Sequence, residues 1–157
     1  MPLQAGPVRI EDGFVTASLR VPYADTDKME HVYYGKYLVY FEIGRTEWMR
    51  ALGTTYREFE ESGYGVPVVE AHVRYRGRIF YDDLIEVRTA ATVTGRTRIT
   101  FIYEIRRSGE AGTLASGYTV HAVVDMRTGK PCRVPARLKE LIDRLPAPEE
   151  IPAHPRG

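Results

Sequence analysis

The sequence predicts an α+β fold with a mainly antiparallel sheet. Three observations carry this. From residue 66 onward, apolar residues return at every second position through four successive runs, the pattern of half-buried strands. Ahead of them lies one long stretch in which apolar residues return at three- and four-residue steps, the stripe of a buried helix. Strands follow strands instead of alternating with helices, which argues against a parallel α/β sheet.

Residues 1–12 carry Pro2, Gly6 and Pro7, with Gly13 just after, and read as a flexible leader. They lack a basic region followed by an apolar core, so no signal peptide is expected. Val15, Ala17, Leu19 and Val21 then alternate with Thr16, Ser18 and Arg20 as a first strand. Pro22 ends it, and an acidic segment holding Asp25, Asp27 and Glu30 follows.

From Tyr33 to about Leu52 the period lengthens, through Tyr34, Tyr37, Leu38, Phe41, Trp48, Met49 and Leu52. Gly44 lies on this stripe. A mid-helix glycine costs up to about 1 kcal/mol relative to alanine, and close approach of a sheet wrapped around the helix would compensate. Gly53 suits the helix stop. Thr54 or Thr55 caps a second, short helix, with Glu58 at capping-box spacing from Thr55.

Four strands follow: 69–76, 85–93, 98–106 and 114–125. Thr94-Gly95 joins the middle pair as a hairpin. Residues 135–145 form a last short helix with Leu138, Leu141, Ile142 and Leu145 on one face. Residues 146–157 hold four prolines and read as a tail. The expectation is five strands around one long helix, in a single domain over 13–145, as the length of 157 residues also suggests.

A formal net charge of +1 gives no electrostatic case for nucleic acid or a membrane surface. No apolar run approaches the roughly 18 residues of a membrane span. The single cysteine, Cys132, excludes an intrachain disulfide. A cytoplasmic location is expected. The histidines lack metal-ligand spacing, so no metal is expected.

The chemistry concentrates at the entrance of the long helix. Asp27 can activate water or attack an electrophilic carbon. It can equally cap the helix or close an Asx turn, as can Asp25, and one acid can be tied up while the other stays free. The backbone N–H groups of Tyr33, Tyr34 and Gly35 can bind a developing oxyanion, or can simply be capped. His31 can orient Asp27, shuttle a proton or contact substrate, or serve structure alone. Glu42 and Arg45 are spaced for an ion pair, with Glu42 an alternative second catalytic acid. Arg74, Arg76 and Arg78 form either a solvated face or a phosphate-binding cluster.

The run Tyr23-Ala24-Asp25-Thr26-Asp27, then His31-Val32-Tyr33-Tyr34, Tyr37, Phe41-Glu42 and Arg45, with Tyr81-Asp82-Asp83 ahead of a strand, resembles the hotdog-fold acyl-CoA thioesterases of the 4-hydroxybenzoyl-CoA thioesterase-like family. The resemblance implies a sheet wrapped around the long helix and active sites at a dimer interface, with dimers pairing into tetramers. It implies hydrolysis of an acyl-CoA to a carboxylic acid and free CoA, with no cofactor beyond the CoA of the substrate. It puts the catalytic carboxylate at Asp27, as nucleophile or general base. It also assigns the carbonyl-polarising amide to Tyr34 and matches Tyr23 to a tyrosine implicated in catalysis. Where some relatives carry a functional histidine, this chain has Tyr34. Another branch has histidine at the position of His31, then valine and two asparagines, where this chain has Tyr33 and Tyr34. Two other readings remain: an acyl-CoA-binding module without catalysis, and an enoyl-thioester hydratase or dehydratase using His31 with Glu42.

Overall fold

The computed structural model describes residues 8–148. Its main sheet has six antiparallel strands in the order β1-β2-β5-β6-β7-β4. These are β1 (Val8–Glu11), β2 (Phe14–Arg20), β4 (Val68–Tyr75), β5 (Leu84–Thr94), β6 (Arg98–Arg107) and β7 (Thr113–Ala122). The remaining strands, β3 (Tyr64–Gly65), β8 (Val124–Asp125) and β9 (Lys130–Pro131), form a small second sheet.

The long helix α1 (Lys36–Ala51) packs on β2, β5 and β6. It buries Tyr37, Tyr40, Phe41, Gly44, Trp48 and Met49, the three- and four-residue rhythm that the sequence carries. Phe41 stacks on Tyr103 of β6 at 4.2 Å, and Trp48 meets Phe101 edge-on. At Gly44 helix and sheet approach closely. A Cβ there would meet Thr89 and stand 2.7 Å from the Val87 side chain, so the close approach inferred from the sequence is the reason for glycine. This is the hotdog arrangement, a sheet curled around one helix.

The short helix α2 (Tyr56–Glu61) is capped by Thr55, whose hydroxyl accepts from the Glu58 amide at 3.2 Å. Glu58 turns instead to the Thr54 hydroxyl at 2.9 Å. Gly53 stands in the left-handed region, φ +85°, after the end of α1. The last helix, α3 (Ala136–Arg144), buries Leu138, Leu141 and Ile142. No helix among the described residues is long and apolar enough to cross a membrane.

Four expectations need correction. Residues 8–11 are strand β1, not leader; residues 1–7 lie outside the described residues. Asp12 and Gly13, at φ 53° and 81°, form the turn that folds β1 onto β2, and Arg9 bridges to Glu86 at 2.7 Å. The strand count therefore rises from five to six. The expected strand 114–125 breaks at Val123, whose amide bonds Thr97 and whose carbonyl accepts from Cys132; the chain leaves there for the small sheet. The start of the tail is also placed, since Pro146 bridges in parallel to Ala91; residues 149–157 lie outside the described residues.

Candidate active site

Between β2 and α1 the chain makes a short 3-10 turn, Tyr23–Asp25, then a closed loop. Thr26 bridges Val32, and the Asp27 amide donates to the His31 carbonyl at 3.0 Å. Glu30, at φ 65°, lets the loop turn back. The loop is pinned to the segment after β4 by the Val32 amide on the Ile79 carbonyl at 2.8 Å, and by a bridge from His31 to Phe80.

The two carboxylates have separate fates. Asp25 is 6 % exposed; its Oδ2 accepts from the Tyr40 hydroxyl at 2.8 Å, and Lys36 Nζ lies 3.6 Å from Oδ1. Burial, then the bond to Asp25, pushes the Tyr40 phenol far above its usual range. Asp25 thus ties the turn to α1. Asp27 is half-buried, and its Oδ1 accepts from the Met29 amide at 2.8 Å, an Asx turn. Its Oδ2 has no partner among the described residues. Asp27 makes the local turn and still keeps one oxygen for chemistry.

The helix proper begins at Lys36, three residues after the expected start. The Tyr33 amide is spent on the Asp25 carbonyl at 2.9 Å, which removes it from the oxyanion donors. The amides of Tyr34 and Gly35 have no acceptor among the described residues, and no side chain caps Gly35. They are unpaired donors at the positive end of a sixteen-residue helix. The Tyr75 hydroxyl donates to the Tyr34 carbonyl at 2.9 Å. That carbonyl belongs to the same peptide unit as the Gly35 N–H, so the bond polarises this donor. The Tyr33 ring folds over Gly35, where a Cβ would stand 2.8 Å from it and push the ring aside.

Aromatic rings surround this entrance. Tyr33 and Tyr34 are 4.4 Å apart, and Tyr37 meets Tyr75 edge-on at 4.7 Å. Burial, then the charges of Tyr75 and Asp27, raises the Tyr37 phenol to about 12. The Tyr33 phenol is raised by its bond to Tyr34, with a smaller contribution from Asp27. The charge of Asp27 is thus felt at two tyrosines of the helix entrance, Tyr33 and Tyr37. Tyr23 lies at the rim, 75 % exposed and edge-on to Tyr81 at 5.6 Å.

His31 does not orient Asp27 through its ring. Its Nδ1 lies 3.1 Å from the Val32 carbonyl, and it holds Asp27 only by its main chain. The Glu42–Arg45 ion pair does not form: Glu42 stays exposed while Arg45 turns inward beside Tyr56 and Tyr103. Nor do His31 and Glu42 bond each other, which leaves the hydratase pair unassembled. Arg74, Arg76 and Arg78 are exposed, with no ion-pair partner among the described residues. They flank Tyr75 on the segment that pins the loop. No group of three or more metal-binding side chains comes together among the described residues. Nothing local signals the bond of Tyr75 to Tyr34, because the strand tyrosine and the helix-entry carbonyl lie 41 residues apart.

Known proteins share this architecture. The description "Thioesterase-like superfamily" fits residues 21–142. The acyl-CoA thioesterase YbgC of Haemophilus influenzae is 31 % identical over 138 residues, covering 87 % of this chain and 98 % of its own. A 1,4-dihydroxy-2-naphthoyl-CoA hydrolase of Synechococcus elongatus is 26 % identical over 76 % of this chain and 88 % of its own. Among solved structures, the DHNA-CoA thioesterase of Staphylococcus aureus superposes with a TM-score of 0.75 at 29 % identity, covering 82 % of this chain and 88 % of its own. The sheet wrapped on one central helix agrees with that match: the chain belongs to the thioesterase-like superfamily.

Proposed function

We propose that this thioester hydrolase cleaves acyl-CoA with Asp27 as the reacting acid and the Tyr34 and Gly35 amides as oxyanion donors. One observation carries the reading: Asp25 and Asp27 stand two residues apart, and only Asp27 keeps a carboxylate oxygen free. The thioester oxygen sits at the two amides. Asp27 Oδ2 then takes a proton from a water whose oxygen bonds to the carbon, or attacks the carbon itself to form a mixed anhydride that water afterwards hydrolyses. The carbon–sulfur bond breaks, the sulfur leaves with a proton as the CoA thiol, and the acyl group becomes a carboxylic acid. Loss of one oxyanion donor typically costs about 10²–10³ in rate. Backbone donors resist deletion by mutation, so the acid is the group to test.

Tyr23 and His31 shape the rim and the loop in this reading, and Tyr33 covers Gly35. The unpaired Arg74, Arg76 and Arg78 suit the phosphates of CoA, since guanidinium groups match phosphate oxygens. No further cofactor is needed, and the enzyme works in the cytoplasm. The β4 edge supports pairing of two copies. It pairs on one side only, with β7, and exposes Val68, Val69 and Tyr75 at 46 %, 50 % and 47 %. A dimer of dimers is a further step of the same reading.

The test is thiol release from short, long and aromatic acyl-CoAs by the native protein and by Asp27→Asn. Asparagine keeps the oxygen that accepts from Met29, so the loop is preserved. Turnover should fall by about 10²–10⁴ with an unchanged circular-dichroism spectrum. Turnover within threefold of native would refute the assignment.

A further inference from the structure

A cleft of about 270 Å³ runs along α1 between the helix and β4–β7. Leu38, Val39, Val68 and Ala71 give it apolar walls; Glu42, Arg45 and Thr119 add polar groups. Leu38 belongs to the first turn of α1, whereas Arg45 lies two turns further on and Thr119 pairs with Ala71, four residues along β4 from the Tyr75 that bonds Tyr34, so the polar groups mark the end of the cleft away from the helix entrance.

The donors and acceptors at the polar end have a determined direction. His121 is 1 % exposed, and burial lowers its pKa to about 4, so the ring is neutral near pH 7. Its Nδ1 lies 2.8 Å from the Val66 carbonyl, which can only accept; the ring proton is therefore on Nδ1. Nε2 must then accept from the Thr119 hydroxyl, 2.8 Å away. With its proton spent, Thr119 accepts from the Tyr103 hydroxyl at 2.6 Å. Tyr103 in turn presents lone pairs towards Arg45, which lies beside it.

Thr119 consequently offers only an acceptor to the cleft. Glu42, a carboxylate, also accepts. Among the described residues on the cleft wall, Arg45 is the one donor side chain. It has no carboxylate partner among the described residues, and its Nε has no hydrogen bond. A group filling this end must accept from Arg45 and donate to Glu42 or Thr119. A hydroxyl does both. A methyl does neither, and a carboxylate would face the charge of Glu42.

We infer that Arg45, with Glu42 and Thr119, is the specificity-determining set for the acyl group and selects acyl chains that carry a hydroxyl at the end far from the thioester. The inference rests on the thioesterase reading above and adds its substrate class. Gly35 and Arg45 are ten residues apart, about 15 Å of helix, and the arginine side chain leans back toward the helix start. The span suits a medium-length acyl chain.

The experiment compares kcat/KM for 6-hydroxyhexanoyl-CoA, heptanoyl-CoA and adipoyl-CoA, which end in hydroxyl, methyl and carboxylate. The hydroxyl ester should lead both by at least about tenfold, because a site built to bond a hydroxyl rejects the analogue without one. Arg45→Met should bring the hydroxyl-to-methyl ratio near one. Heptanoyl-CoA turned over as well as the hydroxyl ester, or adipoyl-CoA preferred, overturns this inference and leaves the thioesterase reading standing. Thiol release from none of the three while other acyl-CoAs of the wider panel are hydrolysed overturns this inference alone; release from no ester of either set overturns both. The comparison among esters uses the native enzyme, so it holds even if Arg45→Met does not fold.

Discussion

Replacing Asp25 should damage stability and spare chemistry, the reverse of replacing Asp27. Asp25 is almost fully buried and receives the hydroxyl of Tyr40, itself fully buried, at 2.8 Å. Asp25→Ala strands that hydroxyl. Leaving a buried polar group without its partner costs about 1–3 kcal/mol, with the upper part of the range apt for a charged acceptor. The nearby Lys36 adds little, because its side chain is 41 % exposed and solvent screens the pair. A loss of about 2 kcal/mol lowers the melting temperature of a domain this size by about 4–8 °C. The acceptor for the Tyr33 amide is the main-chain carbonyl of residue 25, which the substitution leaves in place. The loop carrying Asp27 therefore stays anchored, and kcat at 25 °C should remain within a few-fold of native. The assay is thermal melting beside thiol release for Asp25→Ala, Tyr40→Phe and the double variant. The double variant should be less destabilised than the sum of the singles, by about 1.5–3 kcal/mol, the worth of a hydrogen bond to a charged group. A folded Asp25→Ala that loses turnover as completely as Asp27→Asn would show that the reacting acid has been misassigned.

Two further outcomes follow from buried groups. His121 binds its proton near pH 4 when folded, whereas an unfolded histidine binds near 6.5. The unfolded state takes up more protons between those values, so stability falls as pH drops through that window, by on the order of 3 kcal/mol. Urea unfolding at neutral and mildly acidic pH should show this slope in the native protein and a smaller one in His121→Gln; equal slopes would discard His121 as the cause. Gly44→Ala gains about 1 kcal/mol of helix propensity but drives a methyl into Val87 and Thr89, an overpacking cost of about 1–3 kcal/mol. The balance is a lower melting temperature, and a rise would mean that the helix can lift from the sheet freely.

The fold was legible wherever one face is buried. The stripes of α1 and α3 and the alternation in the first half of β5 announce themselves because burial imposes a period. Strand β1 escaped because all four of its residues are exposed and leave no such trace. The acidic pair shows the limit within the site. Asp25 and Asp27 are chemically identical in sequence, and Tyr40 and Lys36, eleven to fifteen residues away, decide which is immobilised. Arg45 was misread for a related reason. Helical spacing puts Glu42 in reach, but the tyrosines that draw the guanidinium inward come from α2 and β6. The direction of the hydroxyl chain needs β7 and the Val66 carbonyl, which no local pattern reveals.

The two margins of the main sheet differ in kind. One is the four-residue β1, whose Arg9 and Glu11 are charged; the other is the eight-residue, largely apolar β4. Short, charged margins discourage lateral docking. Pairing through β4, as proposed above, would use up that edge on first meeting a twin, so the sheet would not run on sideways into a filament and any further assembly would have to use another surface.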